Sequence, residues 1–399
     1  MTTWEIHPRN ADLSRTLDPI TAWDDLEVVE RYNAPGTFVV SGPASALAVI
    51  TPGMGALLDR DGVQVMSGQV RAINRSFQYS EETGRPEDTI TLGFVEDTAE
   101  LWSRLCYPDP AHSIGPTPGT FSVSHDTRTG VHEDLILDYI AANLGPTAPI
   151  ATRRLASLVL PSSLGRGTST TRNARMDVLG DLVAGIAESG NLRVRIVHDE
   201  PGGVAGLHLV IDDVVDVSTD VVFGNAEVAR ATGLVSSWGY EITNPQVTDV
   251  IAFSAGEQEA RDATRLASSE AVTLWGRRAE VLIDQRQTDD PDEITDALTE
   301  RLEEGATPAA VEFTVAPGPG SEFRVDYDVG YRVGVELPGL PDLVSDNTIR
   351  EATTRVTREQ GEVLSLVVGT PGAESAASNA YAHRLNKALK RLAKLERSA

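Results

Sequence analysis

Two stretches of this chain, residues 3–104 and 219–335, break into short apolar–polar alternations closed by turn formers, which restricts them to small β-sheets. In the first, residues 25–31 and 37–41 read as strands joined by Tyr32-Asn33-Ala34-Pro35-Gly36. Its Asn, Pro and Gly are turn residues. Strands at 57–59 and 63–66 flank Arg60-Asp61-Gly62, an Asp-Gly hairpin signal. Strands at 70–79 and 89–95 follow, then a short helix over 96–105 stopped by Pro108 and Pro110. The second stretch predicts strands at 232–242, 247–254, 276–284, 309–315 and 332–337. One helix interrupts them, with Asp290 as N-cap, Pro291 first and Glu293 third.

Between the two, the period changes to that of helices. Leu135, Ile136, Tyr139 and Ile140 stripe a helix over 131–144, with Thr129 as N-cap and Gly145-Pro146 as stop. Met176, Leu179, Val183 and Ile186 stripe another over 174–189. A hairpin of 192–198 with 206–212 turns at Pro201-Gly202-Gly203. The fold class is therefore α+β, mostly β, and multi-domain. It divides into a β-rich domain, a small barrel or sandwich (1–104), an α+β domain (105–218), a second β-rich domain (219–335), a C-terminal β segment (336–378) and a basic amphipathic helix (379–399).

At 399 residues the chain exceeds one ordinary core, and no apolar run reaches the ~18 residues that span a bilayer. The start, Met-Thr-Thr-Trp-Glu-Ile, lacks the basic and apolar regions of a signal peptide. Cys106 is the only cysteine, so no internal disulfide, zinc site or redox pair can form on it. These features predict a soluble protein made in a reducing cytosol. The net charge of −25 is uneven. Residues 379–399 hold all three lysines and three arginines against Glu396, leaving that segment at +5 and the rest at −30. An acidic body repels nucleic acid rather than holding it.

No catalytic constellation stands out. Ser124-His125-Asp126 are adjacent and point apart, whereas a triad converges from separate elements. The seven histidines lack metal-ligand spacing, although His198 and His208 sit on opposite strands of the predicted hairpin. Asp289, Asp290, Asp292 and Glu293 have calcium-ligand chemistry, but helix capping explains the same residues. No cofactor is implied. The segment Gly276-Arg277-Arg278-Ala279-Glu280 to Asp284 reads as a strand with Arg277, Ala279, Val281 and Ile283 on one face. A guanidinium on a packing face needs a carboxylate from elsewhere, so Arg277, Arg278 and Glu280 are interface candidates, at least one arginine pairing across a domain or subunit boundary. Tyr381, Leu385, Ala388, Leu392 and Leu395 step by heptad spacing, a seam too short to stand without a partner.

Several motifs together resemble those of the minor tail proteins that form the baseplate hub in phages of actinobacteria. They are Trp23-Asp24, Arg31-Tyr32-Asn33-Ala34-Pro35-Gly36, Ser67-Gly68-Gln69-Val70, Tyr107-Pro108-Asp109-Pro110, Asn143-Leu144-Gly145-Pro146, Arg166-Gly167 and the Gly276–Asp284 segment. The group is similar to the hub portion of tail-associated lysins, to myophage baseplate hubs and, remotely, to type VI VgrG spikes. One departure is Gly330-Tyr331, where such hubs tend to carry Gly-Asp. The resemblance implies a homotrimer at the siphovirus tail tip, whose paired barrels adapt the sixfold tail tube and distal tail protein hexamer to threefold symmetry. It implies a DNA exit channel through which the genome passes without specific binding, and contacts with the tape measure protein and with downstream minor tail or receptor-binding proteins. It implies assembly in the host cytoplasm, no membrane insertion and no enzymatic activity. The alternatives are a hub of a contractile or type VI-like system and a tail-associated cell-wall hydrolase.

Overall fold

The computed structural model describes residues 2–369 apart from 16–17, 81–84, 116–119, 243, 257–260, 286–288, 290, 306–308, 317–319, 341–346 and 358–360. The candidate residues Tyr381, Leu385, Leu392 and Leu395, and the cap Asp290, lie outside the described residues. What is described is mostly β.

The first module contains β1 (Trp4–Arg9), β2 (Asp25–Arg31), β3 (Thr37–Pro43), the one-turn helix α1 (Ala44–Leu47), β4 (Gly55–Arg60), β5 (Val63–Ser80) and β6 (Arg85–Glu96). Alternation buries Ile6, Leu26, Val28, Phe38, Leu92 and Phe94 in one core, with the Phe38 and Phe94 rings stacked at 4.3 Å. Asp61 and Gly62 both take positive φ (52° and 80°), which matches the twist of the flanking strands in a two-residue hairpin. The strands expected at 63–66 and 70–79 are one strand, bent by a bulge between Val70 and Ala72.

A 3-10 turn (Asp97–Ser103) leads into the α+β module: β7 (Asp126–Val131), α2 (His132–Asn143), β8 (Leu158–Val159), β9 (Ser169–Ala174), α3 (Leu179–Ser189), β10 (Leu192–Asp199) and β11 (Gly206–Asp213). Leu135, Ile136, Tyr139 and Ile140 of α2 share a core with Leu179, Val183 and Ile186 of α3 and with alternate residues of β10 and β11. Three local expectations fail. Thr129 does not cap α2, because the β7–β9 ladder claims it and its hydroxyl meets that of Thr171 at 2.8 Å. Met176 precedes α3, at a positive φ of 65°. His198 and His208 do not face each other, since register pairs His198 with Leu207 and His208 with Val197.

The last third forms β12 (Val222–Gly224), β13 (Gly233–Ile242), β14 (Asp249–Phe253), β15 (Ala263–Ala267), α4 (Ser269–Trp275), β16 (Glu280–Asp284), α5 (Pro291–Glu304), β17 (Ala309–Val315), β18 (Gly334–Glu336), β19 (Ile349–Thr357) and β20 (Gly361–Gly369). These residues feed two cores. Val250, Ala252, Ile294 and Leu298 close a small core of β14, β15, β16 and α5 between β13 and β17. Phe223, Val311, Phe313, Tyr327, Ala352, Leu366 and Val368 close the other. Helix α4 was not anticipated; Ser268 caps it at Ala271 N, and it ends at Gly276 in the left-handed conformation. The expected strand over 276–284 therefore begins only at Glu280, and Arg277 lies in the connection.

Twelve strands form one sheet in the order β1-β4-β5-β6-β3-β2-β19-β20-β17-β13-β12-β18, six from each module, joined antiparallel at β2–β19. Across this seam Leu26 faces Val356 and Glu30 faces Ala352, so both cores lie on the same face. Gly68, within Ser67-Gly68-Gln69, lets β5 approach β6 so closely that an added Cβ would sit 2.4 Å from Val95 O. Gly68→Ala is expected to cost about 1–3 kcal/mol, read as a lowered urea midpoint with unchanged slope.

Candidate functional site

The densest polar contacts lie where the first module, the α+β module and the last-third core meet along β10. This strand has β11 on one side and no strand on the other among the described residues. A buried edge must find partners for its backbone groups, and here side chains of the first module supply them. The Tyr32 hydroxyl and Asn33 Nδ2 both donate to Leu192 O at 3.0 Å. Val194 N donates to Asn33 Oδ1 at 2.8 Å, Ile196 N to Thr98 Oγ1 at 2.9 Å and His198 N to Ser67 Oγ at 3.2 Å. Gln64 Nε2 then donates to His198 O at 3.0 Å. Every contact falls on an even-numbered residue, as a period-2 strand requires.

The turn after β2 makes this reach possible. Asn33 adopts φ 48°, a left-handed conformation that Asn tolerates. Gly36 passes so close to Met66 and Val29 that a Cβ would lie 2.6 Å from Met66 Cε, and its N–H donates to Glu96 Oε2 at 2.7 Å. Tyr32 enters the last-third core, where burial raises its hydroxyl pKa to about 12, and Arg350 lies over its ring at 5.2 Å. Gly330 packs on the same ring, where any Cβ would clash, so the Gly of the Gly330-Tyr331 departure keeps a defined task.

Beneath Ser67, Arg9 and Asp97 form an ion pair whose side chains are 1% and 0% exposed, and Ser67 Oγ donates to Asp97 Oδ2 at 2.6 Å. Residues 324–328 close the third side, with Arg324 against Glu30 and Asp328 Oδ2 2.5 Å from Arg193 Nη1. Glu30, Gln64, Glu96, Thr98 and Arg193 line a cavity of about 50 Å³. That volume suits a water or two and falls far below the ~300 Å³ of a ligand pocket. Burial lifts the Glu96 carboxyl to about 7; nearby Glu30 adds to the rise, and the Gly36 N–H opposes it.

The sequence-derived candidates lie elsewhere. Arg278 Nη1 meets Asp249 Oδ1 at 2.8 Å, and Arg265 reaches the same fully buried carboxylate. Asp249 belongs to β14 of the same small core, so within one chain this pair is not a bridge between domains. Val281 and Ile283 pack inward while Glu280 and Asp284 face out, as alternation predicts. Arg277 and Glu280 are exposed. Alternation alone does not find the junction; its signals were the motifs Arg31 to Gly36 and Ser67 to Val70, which supply Tyr32, Asn33 and Ser67.

A family model described as Siphovirus ReqiPepy6 Gp37-like protein matches residues 3–370. The fold is similar to the 43 kDa tail protein of prophage MuSo2 from Shewanella oneidensis, at 15% identity and a TM-score of 0.53, over 92% of this chain and 99% of that one. It is also similar to a tail protein from Neisseria meningitidis, at 12% identity and a TM-score of 0.55, over 93% and 98% of the two chains. No curated protein matches the sequence.

Two outcomes follow for the junction. Asn33→Ala removes two hydrogen bonds and a residue suited to positive φ, so it should cost about 2–4 kcal/mol in urea unfolding. Between pH 4.5 and about 7 native Glu96 keeps a proton that the unfolded chain has released, so this group's contribution to stability falls as pH rises. Glu96→Gln should flatten that slope and exceed wild type at pH 8 by up to about 2 kcal/mol, with no gain below pH 4.5.

Proposed function

The chain belongs to the siphovirus ReqiPepy6 Gp37-like family of phage tail structural proteins, and from that premise we propose that it is the trimeric baseplate hub of the tail tip. In this reading three chains present six β modules to the sixfold tail tube and distal tail ring, and a threefold surface to the tip. The observation that carries it is the twelve-stranded sheet, with six strands from each of two modules and both cores on one face. Its opposite face supports the channel reading. Register aligns Ser237, Thr314, Ser365, Thr353, Val29, Thr37, Val95 and Gln69 in one uncharged row across eight strands. In the rows on either side of it Arg31 and Arg355 are each held by a glutamate, Glu351 and Glu27, so these rows offer phosphate no uncompensated cation cluster and DNA slides past without being held.

The role is structural rather than enzymatic. The polar groups of the junction are spent on backbone hydrogen bonds, and its cavity has no room for a substrate. The tape measure protein and downstream minor tail or receptor-binding proteins are the neighbours this position gives it. Arg277 and Glu280, exposed beside the Arg278–Asp249 pair, face such a neighbour or another subunit. The basic segment 379–399, with Tyr381, Leu385, Leu392 and Leu395 at heptad spacing, supplies a second contact.

Sedimentation of the purified protein, alone and with its distal tail protein, tests the reading. The expected species is a trimer that binds one distal tail protein hexamer. A stable monomer or hexamer that still binds the ring would overturn it.

A further inference from the structure

The small core of β14, β15, β16 and α5 is covered on only part of its helix-side face. Its strands lie in the order β15-β14-β16, with Val250 beside Val281 and Ala252 beside Ile283. Helix α5 packs over β14 and β15. A helix about 10 Å across covers two strands set ~4.8 Å apart and leaves a third open. Val250 and Ala252 are accordingly buried, whereas Val281 and Ile283 on β16, and Leu302 near the end of α5, are only half-buried. β16 has no strand on its outer side among the described residues. A second helix laid beside α5 would cover this ledge.

We propose that residues 379–399 of the same chain, which lie outside the described residues, dock as that second helix, antiparallel to α5, with the Tyr381, Leu385, Leu392 and Leu395 seam on Val281 and Ile283. Three observations select this segment. The first is charge. α5 carries six carboxylates against Arg301, a net −5, and is more acidic than any other described helix. Residues 379–399 carry a net +5. Opposite charges on neighbouring helices complement one another, whereas copies of a +5 segment bundled together repel. Nucleic acid would neutralise the charge but leave the apolar seam uncovered.

The second is the point of exit. β20 ends at Gly369, which pairs with Ala310, six residues past the last residue of α5. The chain therefore leaves the described fold at the root of the small core, on the side of the C-terminal end of α5. The nine residues 370–378 span at most about 30 Å when extended. The segment can thus begin beside that end and run back along the helix. The third is length. The 14 residues of α5 make a helix of about 21 Å, and the 15 residues from Tyr381 to Leu395 make one of about 22 Å. Two heptads are too few to stand alone, and the half-buried ledge gives them a surface to cover.

Same-chain docking is independent of the hub stoichiometry, and it gives the second contact a fixed position beside α5. Cysteine cross-linking of the full chain tests it. Cys106 is buried, so Val281→Cys with Leu385→Cys, and Ile283→Cys with Leu392→Cys, supply the reactive thiols in two double variants. A short-reach bismaleimide should bridge at least one pair within a single chain, giving a faster-running band at monomer mass, and no single variant should be bridged. Tryptic cleavage after Lys390 and Arg391 should be roughly tenfold or more slower in the full chain than in a synthetic peptide of residues 379–399, and raised salt should narrow the gap. Lys387→Glu with Lys394→Glu, which leave the described fold untouched, should return cleavage to the rate of the matching peptide. A bridge formed only between chains would overturn same-chain docking and give the ledge to a second copy. Unbridged pairs with cleavage at the peptide's rate would show the segment free, and unbridged pairs with slow cleavage would put it on another surface; either overturns the proposal. A trimer by sedimentation under any of these outcomes leaves the hub reading standing.

Discussion

β10 is a buried edge strand, paired with β11 on one side and with no strand on the other among the described residues, and the rest of the architecture follows from how the backbone groups of that open side are satisfied. Each unpaired buried amide or carbonyl would cost about 1–3 kcal/mol. Asn33, Thr98, Ser67 and Gln64 meet them in turn, from three separate elements of the first module. That arrangement needs side-chain oxygens held at the two-residue spacing of a strand. Gly36 and Gly68 permit the close backbone approach, and the buried Arg9–Asp97 pair fixes Ser67 from below. Removing one partner of such a pair leaves the other charge stranded, which makes the cluster intolerant of partial change.

The junction also explains why two sheets can behave as one. β2 carries the Tyr32–Gly36 turn at one end and pairs with β19 along its length. Tyr32 reaches the last-third core while Asn33, its neighbour, binds the α+β module. A single turn thus touches all three large cores. The small core around Val250 and Ile294 stands apart from this arrangement, inserted between β13 and β17. Its Asp249, clasped by Arg265 and Arg278, settles its own fold rather than the junction.

Sequence patterning made the local elements readable where one face is buried and one is wet. The turn at Asp61-Gly62 falls where expected, and β10, β11 and β17 emerge within a residue of their observed limits, because alternation and turn chemistry agree there. Helix α4 was missed because its seven residues bury none of their number fully, leaving no periodic stripe to read. Thr129 was misread because a threonine before a helix and a threonine ending a strand look alike until the β9 ladder is known. The candidate site was least legible of all. Asn33 and Leu192 are 159 residues apart, and nothing in either local pattern names the other. Only the family-like motif flagged the turn, and it did so without saying what the turn touches.

A hub that couples a tube to a tip must not hinge where its modules meet, so the account stands or falls on whether the β10 junction is as stable as the cores it joins. Native-state hydrogen exchange measures this directly at the amides of Val194, Ile196 and His198. Exchange of all three at the free energy of global unfolding, together with Phe38 and Phe94 of the first core, is the predicted result. Exchange of these amides through a lower-energy opening that leaves the first core protected would show modules docked loosely side by side, and would contradict the account.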